Sequence, residues 1–207
     1  MVWRKKYWDR CERCHMLTAL CLCPVIPQII TRTKLVLVIH HRETRRTTNT
    51  GRLAALTLQN SEVLIRGNVD QPLSPKSLIC EDRQHLLLYP HEKSQELTKE
   101  YLAQFKKPIT LVVPDGNWRQ ARKIGRREPA LVEIPWVKLP SGKPSEYLLR
   151  HEPMEEGLAT IEAIARSFGI IESEERETAL YDIFKIMVER TLKSRPLGRL
   201  AEEAPLS

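Results

Sequence analysis

Four of the five cysteines lie close together, as Cys11-Glu-Arg-Cys14 and Cys21-Leu-Cys23. Thiolates bind Zn²⁺ tetrahedrally, and a two-residue gap lets one turn present both sulfurs to one ion. The longer gap between the pairs brings the second pair round, and Pro24 stiffens the exit. Cys11, Cys14, Cys21 and Cys23 therefore form a candidate closed metal site, which supplies folding energy rather than chemistry. His15 is a substitute ligand by type, but four thiolates already complete the set. Two disulfides or a redox pair are the alternatives. Against disulfides, Cys80 would be left over, and Met1 to Arg10 lacks the apolar core of a secretion leader. Cys80, next to Glu81 and Asp82, reads as an inert thiol.

Two other segments concentrate polar groups. The stretch His40–Arg52 holds Arg42, Arg45, Arg46 and Arg52, two histidines, and Thr48, Asn49 and Thr50. Thr48 or Asn49 could cap a following helix whose open N–H groups attract anions, and arginine forks bind phosphate bidentately. The segment reads as a phosphate or carboxylate site; the plainer alternative is a capped helix with a solvated basic entry. The second stretch is Pro114-Asp115-Gly116-Asn117-Trp118, followed by Arg119, Arg122, Lys123, Arg126 and Arg127. A carboxylate on a strand-to-helix turn stands where a base is needed, Gly116 permits a tight turn, and Trp118 offers a stacking face. The plainer alternative makes Asp115 a helix cap and Trp118 a core residue.

The elements that would position these residues alternate. The spacing predicts strands at Lys34–His40, Glu62–Arg66, His85–Tyr89 and Pro108–Pro114, and an irregular or edge strand at Leu131–Leu139 broken by Pro135. Helices are predicted at Asn49–Gln59, at Ser94–Phe105 with Ser94 as cap, at Gly116–Arg127, near Met154–Phe168 and at Glu174–Lys193. In the last, Leu180, Ile183, Phe184, Met187, Val188 and Leu192 share one face. This order implies an α/β fold with a mostly parallel sheet, in which ligands gather at the carboxyl ends of the strands. The expected division is a zinc-binding segment at 1–30, a catalytic domain at 31–193 and a flexible tail at 194–207. No glycine-rich dinucleotide or phosphate loop is present, which weighs against dinucleotide and NTP enzymes.

Charge is segregated. The 207 residues carry +7, yet residues 1–52 hold +8 and residues 106–127 hold +6, while the rest is net acidic. Both polar segments lie in the basic blocks, which suits a polyanion partner. No apolar run approaches the roughly 18 residues of a membrane span. A cytoplasmic protein without a membrane partner is expected, as a monomer or homodimer.

Taken in order, Cys11-x-x-Cys14…Cys21-x-Cys23, Asn49-Thr-Gly51-Arg52, Leu88-Tyr-Pro90, Asp115-Gly-Asn-Trp118-x-Gln-Ala, Tyr147-Leu-Leu-Arg150 and Thr160-Ile-Glu162-Ala163 resemble the DTW-domain family. These are the tRNA-uridine aminocarboxypropyltransferases, and the bacterial branch is the one most resembled. The namesake motif ends Thr-Trp in typical members; here Asn117 takes the Thr place. The resemblance implies a SPOUT-like fold with a C-terminal knot that binds S-adenosylmethionine. It also implies transfer of the 3-amino-3-carboxypropyl group to N3 of a tRNA uridine, of the variable loop in that branch, with release of methylthioadenosine. It gives Asp115, Asn117 and Trp118 catalytic roles. It places the donor against Pro114, Leu139, Pro140, Tyr147, Arg150, Leu158, Thr160 and Glu162. Arg42, Arg45, Arg46, Asn49, Thr50, Arg52, Arg119, Arg122 and Lys123 are then candidates for RNA phosphate. Two rivals share the observations: a SPOUT-type RNA methyltransferase and a non-catalytic zinc-containing RNA-binding protein. A zinc hydrolase does not, because four thiolates leave no open position on the ion.

Overall fold

The structure is a computed structural model that describes residues 10–44, 46, 49–67, 79–142, 145 and 157–203, the last ten by their backbone. Strand β1 (Lys34–His40) is a run of apolar, mostly branched residues with five consecutive buried positions, the pattern of a strand covered on both faces. Its alternating side chains feed two cores. Leu35, Leu37 and Ile39 enter the larger, and Val36 and Val38 the smaller. Around it stand β2 (Ser61–Arg66), β3 (Gln84–Leu88), β4 (Gln95–Glu96), β5 (Ile109–Asp115) and β6 (Trp136–Lys138). The sheet order is β2-β1-β5-β3-β6-β4, and every pairing is parallel.

Helix α1 (Thr50–Thr57) follows β1, and α2 (Lys99–Leu102) is a single turn before β5. Helices α3 (Trp118–Arg127) and α4 (Pro129–Val132) follow β5, and α5 (Thr160–Ile171) and α6 (Glu174–Glu203) close the chain. The larger core gathers α1, α5 and α6 on one face of the sheet. Ile124 of α3 and Leu131 of α4 cover Val36, Val38, Leu87 and Val112 on the other. From β1 the chain runs through α1 to β2 on one side; from β5 it runs through α3 to β6 on the other. Because β1 and β5 are neighbours, the two connections part between them. That is the topological switch point where open α/β sheets place a ligand crevice.

The predicted strands β1, β2, β3 and β5 stand within a residue or so of expectation. Four other expectations change. Residues 94–105 are not one helix: the Ser94 hydroxyl donates to the Tyr89 carbonyl at 2.8 Å instead of capping, and Gln95–Glu96 pair with Val137–Lys138. Only then does Thr98 cap the short α2. The segment 131–139 splits into α4 and β6 around Pro135, and β6 is interior, between β3 and β4. Helix α5 begins at Thr160 rather than near Met154; residues 154–156 lie outside the described residues. The last helix continues past the expected end at Lys193 to Glu203, and 197–203 consists largely of helix formers. In its apolar face Leu180, Ile183, Phe184, Met187 and Val188 are buried, and Leu192 is exposed. No described helix is long and apolar enough to cross a membrane.

Candidate active site

Asp115 is the last residue of β5 and opposes Ile39 of β1 in register, so it stands at the switch point. It is 5% exposed. The Asn49 amide Nδ2 donates to Asp115 Oδ2 at 2.5 Å, and the Thr160 hydroxyl donates to Oδ1 at 2.6 Å. Asn49 is the cap of α1, its Oδ1 accepting from Arg52 N at 2.8 Å, and Thr160 opens α5. One carboxylate thus ties two helix starts to the end of one strand. The α1 backbone reaches it because residue 51 is glycine: a Cβ there would stand 3.1 Å from Asp115 Cγ and 3.0 Å from Thr160 Cγ2. Thr50 is buried behind this joint, its hydroxyl accepting from Ile161 N at 3.4 Å.

The turn after β5 faces outward. Asn117 is exposed and caps α3 in a reciprocal box: Gln120 N donates to Asn117 Oδ1 at 2.9 Å, and Asn117 N donates to Gln120 Oε1 at 2.8 Å. The cap uses the Asn117 oxygen and leaves its amide hydrogens for a carbonyl. Trp118 is half-buried and meets Tyr89 edge-on at 6.2 Å; Tyr89 in turn meets Trp136 at 6.1 Å, and His91 meets Trp136 at 5.3 Å. Burial pushes the Tyr89 hydroxyl's pKa up, opposed by the nearby Arg122. Arg119, Arg122 and Lys123 are exposed on α3. His40, at the end of β1, lies 3.4 Å from Gln120 Nε2 and stacks on His41 at 4.6 Å. Burial lowers its pKa, as do His41, Arg42, Arg66 and Lys123.

The donor-side candidates divide. Pro114 is buried in β5, paired with Val38. Leu139 and Pro140 are half-buried just past β6, and Leu158 is half-buried before α5. Glu162 is buried, and its Oε2 accepts from Ala159 N at 2.7 Å and from the Ser145 hydroxyl at 2.5 Å. It closes the start of α5, while Ala159 has no polar side chain to complete a reciprocal box. Tyr147, Arg150 and Arg45 lie outside the described residues. Arg42 and Arg46 are exposed; Arg46 Nε pairs with the buried Glu43 at 3.2 Å. Arg52 is half-buried, and its Nε donates to the Arg13 carbonyl at 3.3 Å. Sequence reasoning missed Gln120, Glu43 and the aromatic group Tyr89–Trp136–His91. For the last, only the Tyr-Pro at a strand end gave a signal.

The sulfurs of Cys11, Cys14, Cys21 and Cys23 all lie within 4.8 Å of one another. Cys11 and Cys23 are 3.5 Å apart and Cys14 and Cys21 3.7 Å. A disulfide needs about 2 Å, whereas a tetrahedron with Zn–S near 2.3 Å has edges of about 3.8 Å. The donor set and its spacing fit Zn²⁺, and all four thiols are free of disulfides. The Cys11 thiol's pKa is held down at about 6, chiefly by the Cys14 backbone N–H, while burial pushes those of Cys21 and Cys23 up. His15 adopts φ 61°, a left-handed turn that lets the chain return so that Arg10 and Leu17 pair antiparallel. Met16 and Leu22 anchor the segment in the main core, and Arg190 of α6 donates to the Cys21 carbonyl.

A parallel sheet with a buried, hydrogen-bonded carboxylate at its switch point and a four-cysteine segment beside it defines the class. The sequence model of the DTW domain matches residues 8–192, and the chain belongs to that family. It is 31% identical over 171 residues to tRNA-uridine aminocarboxypropyltransferase 2 of Drosophila melanogaster, covering 80% of this chain and 67% of that one. It is 28% identical to the Mus musculus protein of the same name, covering 78% of this chain but 56% of the relative, so it spans little more than half the mouse protein. With tRNA-uridine aminocarboxypropyltransferase A of Arabidopsis thaliana the identity is 28%, over 90% of this chain and 84% of the relative. Among solved structures, the SAM-dependent rRNA:acp-transferase Tsr3 from Vulcanisaeta distributa superposes with a TM-score of 0.51 at 17% identity. The match covers 86% of this chain and 84% of that one, a likeness of fold.

Proposed function

We propose that this chain transfers the 3-amino-3-carboxypropyl group of S-adenosylmethionine to N3 of a uridine in tRNA, with methylthioadenosine as co-product. The observation that carries the reading is Asp115, placed by Asn49 and Thr160 at the switch point within the family's own motif. The names of the curated relatives and the fold shared with an acp-transferase support it.

The donor supplies a carbon activated by its sulfonium; choosing the propyl carbon over the methyl is a matter of positioning. Leu139, Pro140 and Leu158 offer half-buried apolar surface for the donor at the carboxyl edge. Asn49 and Thr160 orient the Asp115 carboxylate. Asp115 accepts the uridine N3–H and receives its proton as the N–C bond forms and the S–C electron pair passes to sulfur. The Asn117 amide donates to a uracil carbonyl, and Trp118 walls the pocket together with Tyr89. Arg119, Arg122 and Lys123 hold backbone phosphate. Zn²⁺ on the four cysteines stabilises the N-terminal segment and takes no part in transfer.

This reading includes four finer parts. The target is the variable-loop uridine that resemblance to the bacterial branch implies. A C-terminal knot that binds the donor belongs to the reading, as the resemblance implies. The division into segment 1–30, domain 31–193 and tail 194–207 stands with it, as does a cytoplasmic location beside tRNA. The test is nucleoside mass spectrometry of tRNA incubated with the protein and S-adenosylmethionine. A uridine heavier by roughly a hundred mass units is expected; a gain of about fourteen would mean methyl transfer, because the site would have positioned the other carbon.

A further inference from the structure

The cysteine segment meets α1 and α6 along a narrow crevice. Asn49, Arg52, Leu53 and Leu56 line it from α1, at helical offsets that put them on one face. Gly51 lies on the other face, toward Asp115 and Thr160, so α1 is the partition between the crevice and the catalytic carboxylate. Leu22 of the segment and Met187 of α6 form an apolar floor, both buried. Above it stand Arg46, Arg52 and His15, three donors from two parts of the chain with no carboxylate among the lining residues. Arg46 is joined to Glu43 and Arg52 to the Arg13 carbonyl, each through Nε, so both forks are fixed in place with their terminal nitrogens left for another acceptor. A rim of guanidinium and imidazole donors over a narrow apolar cleft matches a phosphate of a polynucleotide backbone, bound at the rim.

We propose that this crevice holds a backbone phosphate of the tRNA, so that the cysteine segment is one wall of the substrate site as well as a folding element. The proposal rests on the tRNA-modifying reading and deepens it. Phosphate bound there sits one helix width from Asp115, and Asn49 lines the crevice while bonding Asp115 itself. Engagement of the tRNA backbone is thereby linked to the joint that positions the carboxylate.

The experiment is a double-mutant cycle on tRNA affinity across a salt series, with His15→Ala from the segment wall, Arg46→Ala from the other wall, and the pair combined. Lys106→Ala, an exposed charge ahead of β5 at the opposite end of the sheet, is the control. Zinc content, thermal midpoint and calorimetric S-adenosylmethionine affinity are measured on each variant. The expected result is a five- to tenfold loss for Arg46→Ala, with the salt slope shallower by about 0.9. His15→Ala loses less, and the double variant loses less than the product of the two, as one shared ligand requires. Zinc content and donor affinity stay at the parent values. Losses equal to those of Lys106→Ala, or strictly multiplicative losses, overturn the proposal. A fall in donor affinity with tRNA affinity intact also overturns it and assigns the crevice to the donor's carboxylate. Parent protein that binds tRNA with this pattern but transfers nothing supports the crevice while sinking the transferase reading. Absence of any tRNA binding by the parent sinks both.

Discussion

The turns after β1 and after β5 begin alike and end differently. Each leaves the carboxyl end of one of two adjacent parallel strands, each is basic, and each enters a helix through an asparagine cap. The first turns its short polar groups inward: Asn49 to Asp115, Thr50 beneath α5, and Glu43 into a buried place where its Oε1 has no hydrogen-bond partner among the described residues. The second turns all but Asp115 outward, with Asn117, Arg119, Arg122 and Lys123 exposed. Similar composition therefore builds a joint in one place and a presenting surface in the other. The deciding difference is the helix each turn feeds. Helix α1 packs in the larger core beside α5, whose start Asp115 can bond, whereas α3 covers the opposite face of the sheet.

The largest expected effect falls on the joint. Asp115→Asn puts an amide against the Asn49 and Thr160 donors and removes the proton acceptor. The loss in kcat/KM is expected to be about 10²-fold or more, with the fold retained by circular dichroism. If Asn117→Ala costs as much as Asp115→Asn, the distinction between the two turns fails. Next comes Gly51→Ala, whose Cβ would press on Asp115, Thr160 and Leu37 at 3.0–3.1 Å. It should lower stability by about 1–3 kcal/mol, read by chemical denaturation, and reduce activity with it. Asn117→Ala should cost about 1 kcal/mol through loss of the α3 cap, and Asn117→Thr only a few tenths. The smallest effect is on pH dependence. His40 belongs to the inward turn, and its pKa lies below the unfolded value of 6.5 because of burial and its cationic neighbours. The unfolded chain therefore binds the proton more readily, so stability is full above pH 6.5 and declines as pH falls below it. His40→Asn should flatten that decline between about pH 7.5 and about 5.5 in thermal-melt series, and the remainder should follow His85, whose pKa burial likewise lowers.

Much of this was legible in the sequence where one signal dominated. The apolar strands declared themselves by run length and branching, and the four cysteines by spacing, because thiolates at such short range have few other uses. Tertiary pairing decided the rest. Residues 94–105 have helical composition, yet Gln95 and Glu96 are claimed by the exposed edge of β6 and Ser94 by the Tyr89 carbonyl. Glu162 looked like a donor ligand, and the structure shows it buried and closing the start of α5, a role that depends on Ser145 and Ala159 arriving beside it. For Asn49 and Thr50 the sequence shows the type but not the direction, toward Asp115 and Ile161. Asp115 was visible as a candidate, but its partners came from positions 66 residues before it and 45 after it.

The account stands most directly on which bond of the donor breaks. Parent protein, tRNA and S-adenosylmethionine labelled in the aminocarboxypropyl carbons would be followed through one turnover. The account predicts label in tRNA uridine and methylthioadenosine in equal amounts, with neither formed when tRNA is omitted. S-adenosylhomocysteine as the co-product, with the label left on it and none in tRNA, would contradict it.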